Sequence, residues 1–225
     1  MSAAARRLSA TGLKSAVRRR LSAGGVGLVA LAASPTAFAG GQIEEPLADS
    51  VRSALSSAVA DGAPPVPVFV STDARLEYLD WLTAMSDDLY GRMSAFDRRI
   101  EFLQTAWYEA HRAGLSTALV LGLIQVESNF RKFAVSSAGA RGYMQVMPFW
   151  ARLIGDGDAS KLFQMQTNLR FGCVILRHYL DQESGDLFMA LGRYNGTRGQ
   201  ARYPNAVLGA SKKWTFRSEK KPHEA

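Results

Sequence analysis

Ser116-Thr117-Ala118-Leu119-Val120-Leu121-Gly122-Leu123-Ile124-Gln125-Val126-Glu127-Ser128 is the stretch whose reading decides the fold. A helix that lies on a protein surface carries one apolar stripe, whereas this segment is apolar almost all round, so it is expected to be a central buried helix. Ser116 stands where an N-cap is expected. A buried helix needs others around it, and the flanking sequence supplies them. Tyr78, Leu82, Met85 and Leu89 form one helical stripe, with Asp80, Asp87 and Asp88 off it. Ile100, Leu103, Trp107 and Ala110 form a second that ends near Gly114. Downstream, a helix is expected over Thr167 to Gln182 with Leu169, Cys173, Leu176 and Leu180 facing the core, and another from Asp186 towards Arg193. Cys173 reads as a core residue, not a nucleophile. Residues 131–148 are punctuated by Gly139, Gly142 and Pro148 and read as a loop with room for at most a small β element. The expected class is mainly α.

Glu127 closes the apolar helix on the face of Val120, Leu123 and Ile124. A carboxyl held against such a face loses hydration, which disfavours its charged form and raises its pKa, as a general acid near neutral pH requires. The competing reading is an ordinary carboxylate at an exposed helix end. The negative end of the helix dipole is an unfavourable place for such a charge, which weighs slightly for function.

The sequence beyond Glu127 adds a more specific signal. Glu127-Ser128, then Ala138-Gly139-Ala140-Arg141-Gly142-Tyr143-Met144-Gln145-Val146-Met147-Pro148, then Leu191-Gly192-Arg193-Tyr194-Asn195-Gly196 resemble, in order, the Glu-Ser pair, the Gly-Leu-Met-Gln block and the Ala-Tyr-Asn-Ala-Gly block of the soluble lytic transglycosylase family. The resemblance covers roughly residues 97 to 208. It implies a lysozyme-like catalytic domain that cleaves peptidoglycan after N-acetylmuramic acid, with no metal or organic cofactor. It makes Glu127 the sole catalytic acid/base. It also implies that Ser136, Gln145 and Met147 line the sugar cleft, that Tyr194 holds its hydroxyl close to the Glu127 carboxyl, and that Asn195 shapes the same wall.

Taken singly, these residues have plainer readings: a turn cap for Ser136, a loop amide satisfying backbone for Gln145, a core aromatic for Tyr194. Five positions depart from the family's pattern. Tyr143 stands for Leu, Phe130-Arg131 for Asn-Pro, and Arg193 and Thr197 for small residues, which bears on the shape of the subsites. Most glycosidases use two carboxylates, yet no Asp or Glu occurs between Glu127 and Asp156.

Upstream, residues 1–39 read as a signal peptide. Arg6, Arg7, Lys14, Arg18, Arg19 and Arg20 precede an apolar stretch from Val26 to Ala33 and an Ala37-Phe38-Ala39 cleavage site. The competing reading, a membrane anchor, sits poorly with Pro35 and a run of Gly, Ala and Ser. Of the formal +7 of the 225-residue chain, six charges lie in this segment, so beyond it 21 basic residues face 20 acidic ones. The remainder is polarised: residues 40–110 carry a net −7 and residues 111–225 a net +8. The basic half suits an anionic wall polymer, and export argues against nucleic acid as the partner. A single Cys and three His exclude an internal disulfide and the usual Cys/His zinc site.

The expected organisation is thus a signal peptide (1–39), a tether (40–72) with a short helix marked by Leu47, Val51, Leu55 and Val59 and a Pro64 to Pro67 linker, and an acidic helical extension (73–96). A catalytic domain (97–217) and a polar tail (218–225) follow. The location is periplasmic or otherwise exported after cleavage near Ala39, with no stable membrane insertion. Residues 40–96 are a possible site for a protein partner. Two rival functions fit the same fold: a goose-type lysozyme-like hydrolase, and a non-catalytic module for wall docking or secretion assembly.

Overall fold

The computed structural model describes residues 41–60 and 67–217. The signal peptide expected over 1–39, Pro64 and Pro65 of the expected linker, and the tail 218–225 lie outside the described residues. The elements are, in order, α1 (Asp49–Ala60), α2 (Thr72–Leu89), α3 (Phe96–Arg112), α4 (Thr117–Ser128), α5 (Pro148–Ile154), a 3-10 turn (Ala159–Phe163), α6 (Met165–Gln182), α7 (Leu187–Asn195), α8 (Arg202–Ser211) and a last 3-10 turn (Lys212–Trp214). The fold is mainly α. Among the described residues, β structure is limited to two isolated antiparallel bridges, Val135 with Arg141 and Arg141 with Val146, inside the glycine-punctuated loop.

Helix α4 is the axis of the core, as its apolar composition requires. Leu119, Val120, Leu121, Leu123 and Ile124 are all buried, and so are Glu127 and Ser128 at its end. Ser116 does occupy the N-cap position, but its side chain caps nothing. At the other end Asn129 takes the left-handed conformation (φ 49°) that closes a helix, and Arg92 Nε donates to its Oδ1 at 2.9 Å. Glycine within α4 has a packing reason. A Cβ on Gly122 would stand 2.6 Å from the backbone nitrogen of Ser211, so its absence lets α8 lie directly against α4.

The other helices wrap this axis: α3 packs on α2, α4 and α6, and α7 packs on α6 and α8. Asp186 caps α7, its Oδ1 accepting from Met189 N at 3.0 Å, and Cys173 is fully buried in α6. Between α3 and α6 the carboxylate of Glu109, itself buried, accepts from Arg170 Nη2 at 2.8 Å and Nε at 3.1 Å.

Two expectations about organisation need correction. Residues 41–60 are not a free tether, because α1 packs on both α5 and α6 and Leu55 joins the core. Residues 73–96 are not an extension apart from the domain either. Helix α2 buries Tyr78, Trp81, Leu82, Met85 and Leu89 in the same core, and the Phe69 ring packs at a tilt on Tyr78 with centroids 5.0 Å apart. Both segments carry their charges on exposed faces, which gave them a linker-like texture while their apolar stripes were core. Among the described residues no helix is long and apolar enough to cross a membrane.

Candidate active site

Glu127 is 2 % exposed. Burial pushes its pKa up from 4.5 to about 8, opposed by a hydrogen bond from Tyr203. That bond runs from the Tyr203 hydroxyl to Glu127 Oε1 at 2.5 Å. Glu127 Oε2 is also buried and has no hydrogen-bond partner. Burial thus favours the protonated carboxyl near neutral pH, with one oxygen held by Tyr203 and the other without a partner.

Tyr203, not Tyr194, makes the hydrogen bond to the Glu127 carboxyl, although Tyr194 lies near enough for the Glu127 charge to add to the rise in its pKa. Tyr194 instead donates to the backbone carbonyl of Met144 at 2.8 Å, and burial raises its pKa well above the ordinary tyrosine value. The geometric reason lies in α8, an element the sequence reading did not include. Its first turn carries Tyr203, and the close approach of α8 to α4 at Gly122 brings that turn onto the end of α4. The signal for it was present in Tyr203, Val207 and Ala210, all buried and spaced four and three residues apart on one helix face.

Opposite the acid, the loop 131–148 is tied down from below. Ser128 Oγ donates to the Tyr143 carbonyl at 2.7 Å, so the residue after the acid clamps the loop to α4. Asn168, fully buried on α6, accepts from Met144 N at 2.8 Å and donates to the carbonyls of Arg141 at 2.9 Å and Leu162 at 2.7 Å. Gly142 (φ +76°) is required at this junction, because a Cβ there would meet Asn168 Nδ2 at 2.3 Å.

Gln145 sits at a left-handed φ of 47° and its Nε2 donates to the carbonyls of Gly142 at 2.9 Å and Ala134 at 3.1 Å. The plainer reading holds for its amide nitrogen, which satisfies backbone and shapes the loop. Ser136 likewise caps a turn, its Oγ accepting from Ala140 N at 3.1 Å. Met147 is half-buried at the start of α5. Asn195 ends α7, accepts from Thr197 Oγ1 at 3.2 Å, and has a buried Nδ2 with no partner.

The departures from the family pattern have structural explanations. Tyr143 and Phe130 both pack on Phe102, with ring centroids 5.0 and 5.8 Å apart, and Phe130 also meets Trp214 at 5.1 Å. Arg193 pairs with Glu183 at 2.8 Å and with Glu45 at 3.0 Å. Among the described residues no group of three or more His, Cys, Asp or Glu is placed to hold a metal ion.

Comparison with known proteins bears on this geometry. Residues 105–216 match the family model of the transglycosylase SLT domain. The transglycosylase of Enterobacteria phage PRD1 is 32% identical over 116 residues, covering 48% of this chain and 42% of that protein. Membrane-bound lytic murein transglycosylase C of Histophilus somni (strain 2336) is 36% identical over 105 residues, or 40% of this chain and 29% of that protein. Among solved structures, an inactive mutant of the lytic transglycosylase Slt from Pseudomonas aeruginosa aligns with a TM-score of 0.45 and 23% identity, covering 62% of this chain and 29% of that one. The chain spans less than half the length of the curated relatives it matches first. The matched segment begins within α3 and takes in Glu127, the loop 131–148, Tyr194 and Tyr203. Through residues 105–216, this chain belongs to the transglycosylase SLT domain family.

Proposed function

We propose that the protein is an exported lytic transglycosylase that cleaves peptidoglycan glycan strands after N-acetylmuramic acid, with Glu127 as the single acid/base. The observation that carries this reading is the buried Glu127 carboxyl, raised to about 8 and held through one oxygen by Tyr203 while its second oxygen lacks a partner. A protonated carboxyl is the form that can deliver a proton to the glycosidic oxygen. As that bond breaks, the acetamido group of the muramic acid residue stabilises the positive centre. The Glu127 carboxylate then takes the proton from the same sugar's C6 hydroxyl, whose oxygen closes the anhydro ring. The attack is intramolecular and so benefits from high effective concentration, and it needs no second carboxylate.

Supporting this reading, burial and Tyr203 account for the state of Glu127, and the buried acid nearest in kind, Glu109, is engaged with Arg170 between α3 and α6. The relatives named as murein transglycosylases point to the same substrate. The test is mass analysis of peptidoglycan digested by residues 40–225. Anhydromuropeptides, each one water lighter than the lysozyme products, are expected from the wild type and absent with Glu127→Gln. Hydrated reducing ends alone would identify the hydrolase rival, and full biological activity in Glu127→Gln would identify a docking module.

A further inference from the structure

The segment Gly41–Glu45, outside the matched family domain, lies on the residues expected to form the sugar-binding wall. Gln42 is 4 % exposed, and its Oε1 accepts from the backbone N–H of Met147 at 3.2 Å. Its amide also lies beside the Tyr194 hydroxyl, an interaction that acts to lower the Tyr194 pKa against the larger effect of burial. Gln42 Nε2 is buried with no partner in normal hydrogen-bond geometry, as is Asn195 Nδ2. Next to it, the Gly41 carbonyl is pressed onto Gly196 so closely that a Cβ on Gly196 would stand 2.0 Å from the carbonyl oxygen. No sugar fits between this strap and that wall.

The primary amide of Gln42 offers a planar carbonyl acceptor and N–H donor, the pair that the acetamido group of an N-acetylated amino sugar also offers. We propose that Met147 N–H, Tyr194 and Asn195 form an acetamido subsite, and that Gln42 occupies it as an intramolecular ligand which a glycan must displace. This rests on the reading of the substrate as an N-acetylated glycan.

The means of holding the strap suit a removable occupant. Glu45 pairs with Arg193 at 3.0 Å and Glu44 with Arg152 at 3.4 Å, and all four side chains are partly solvent-exposed, where ion pairs hold weakly. Among the described residues, the backbone of 41–47 makes no backbone–backbone hydrogen bond, whereas the Ala48 carbonyl already accepts from Arg52 N at the start of α1. The strap is therefore a segment anchored by its side chains and joined to a helix that is itself packed on α5 and α6. Arg193, one of the departures from the family's pattern, supplies its strongest anchor.

A ligand's apparent affinity scales with the fraction of protein whose site is open, so loosening the strap raises affinity. The experiment uses residues 40–225 carrying Glu127→Gln to prevent turnover, with the N-acetylglucosamine tetramer as probe, read by calorimetry and by amide hydrogen exchange. Adding Gln42→Ala, or separately Glu45→Gln, is expected to lower Kd roughly fivefold or more. Adding the tetramer is expected to speed exchange in peptides covering 41–47. A Kd unchanged or raised in both variants, no detectable binding by either, or slower exchange in 41–47 on tetramer binding would overturn the proposal and make Gln42 a fixed part of the wall. Should Gln42→Ala fail to fold, Glu45→Gln and the exchange data decide. Failure of the function itself is read separately, from the wild-type muropeptide masses.

Discussion

Glu127→Gln should stabilise the protein, and by an amount that grows with pH. In the folded chain burial keeps the carboxyl protonated up to about 8, whereas its ordinary value is 4.5. Between those limits the native state binds a proton that the unfolded chain has released, so stability falls as pH rises through this window. It is fully present below about 4.5 and lost by about 8. At about 1.4 kcal/mol per decade the interval amounts to a ceiling of roughly 5 kcal/mol. Glutamine is close in shape to the protonated acid and its Oε1 can accept the same bond from Tyr203, yet it has no proton to lose. The variant and the wild type should therefore be nearly equal in urea denaturation at pH 4, and the variant more stable by several kcal/mol at pH 8. Because all other titrations are common to both proteins, they cancel in the difference. A difference that stays flat from pH 4 to pH 8 would refute the picture of a desolvated acid.

Catalytic rate on peptidoglycan should fall as pH rises through about 8, where the folded Glu127 loses its proton. Tyr203→Phe removes a bond that lowers the Glu127 pKa, so this falling limb should move to higher pH while kcat drops roughly tenfold, which a pH–rate profile would show. Gly122→Ala forces a Cβ to within 2.6 Å of the Ser211 backbone and should cost about 1 to 3 kcal/mol, with a lower Tm and a loss of activity as α8 and Tyr203 shift. Asn168→Ala strands the Met144 N–H and two carbonyls and should cost about 2 to 4 kcal/mol by chemical denaturation, with KM raised because the loop over the acid is loosened.

How much of this was legible depended on whether a residue's role was local. The all-apolar α4 announced its own burial, and the carboxyl ending it inherited an environment that the sequence alone specifies: Val120, Leu123 and Ile124 lie within two turns of Glu127. The stripes of α2, α3 and α6 were equally local. Tyr203 was not, because its role depends on a close contact between Gly122 and Ser211, 89 positions apart, that no periodicity encodes. Short elements were missed for a related reason. Helix α5 has seven residues and follows directly from a glycine-rich loop, too short to display a stripe. The strap was read as tether because Gln42, Glu44 and Glu45 are polar, and polarity marks exposure only until a buried partner is found.

The site divides by how its buried polar atoms are satisfied. Ser128 Oγ, Asn168 and Gln145 Nε2 all hold backbone groups of the loop 131–148, and an atom so engaged shapes the cleft without being available to substrate. Glu127 Oε2 and Asn195 Nδ2 are buried and unengaged. Leaving such atoms unpaired costs about 1 to 3 kcal/mol each, more for a group that can be charged. Unpaired buried atoms also occur elsewhere, as at Tyr78 Oη and Trp150 Nε1, so the property alone does not mark a site. In Glu127 and Asn195, as in Gln42 of the strap, a satisfied partner fixes one atom, Tyr203 on Oε1 and Thr197 on Oδ1, so the idle atom is aimed while its twin is held. A carboxyl or amide anchored through one polar atom can meet a ligand with the other at no cost in reorganisation, and under the proposed function the stability given up in the resting protein is returned when a glycan supplies the missing partner.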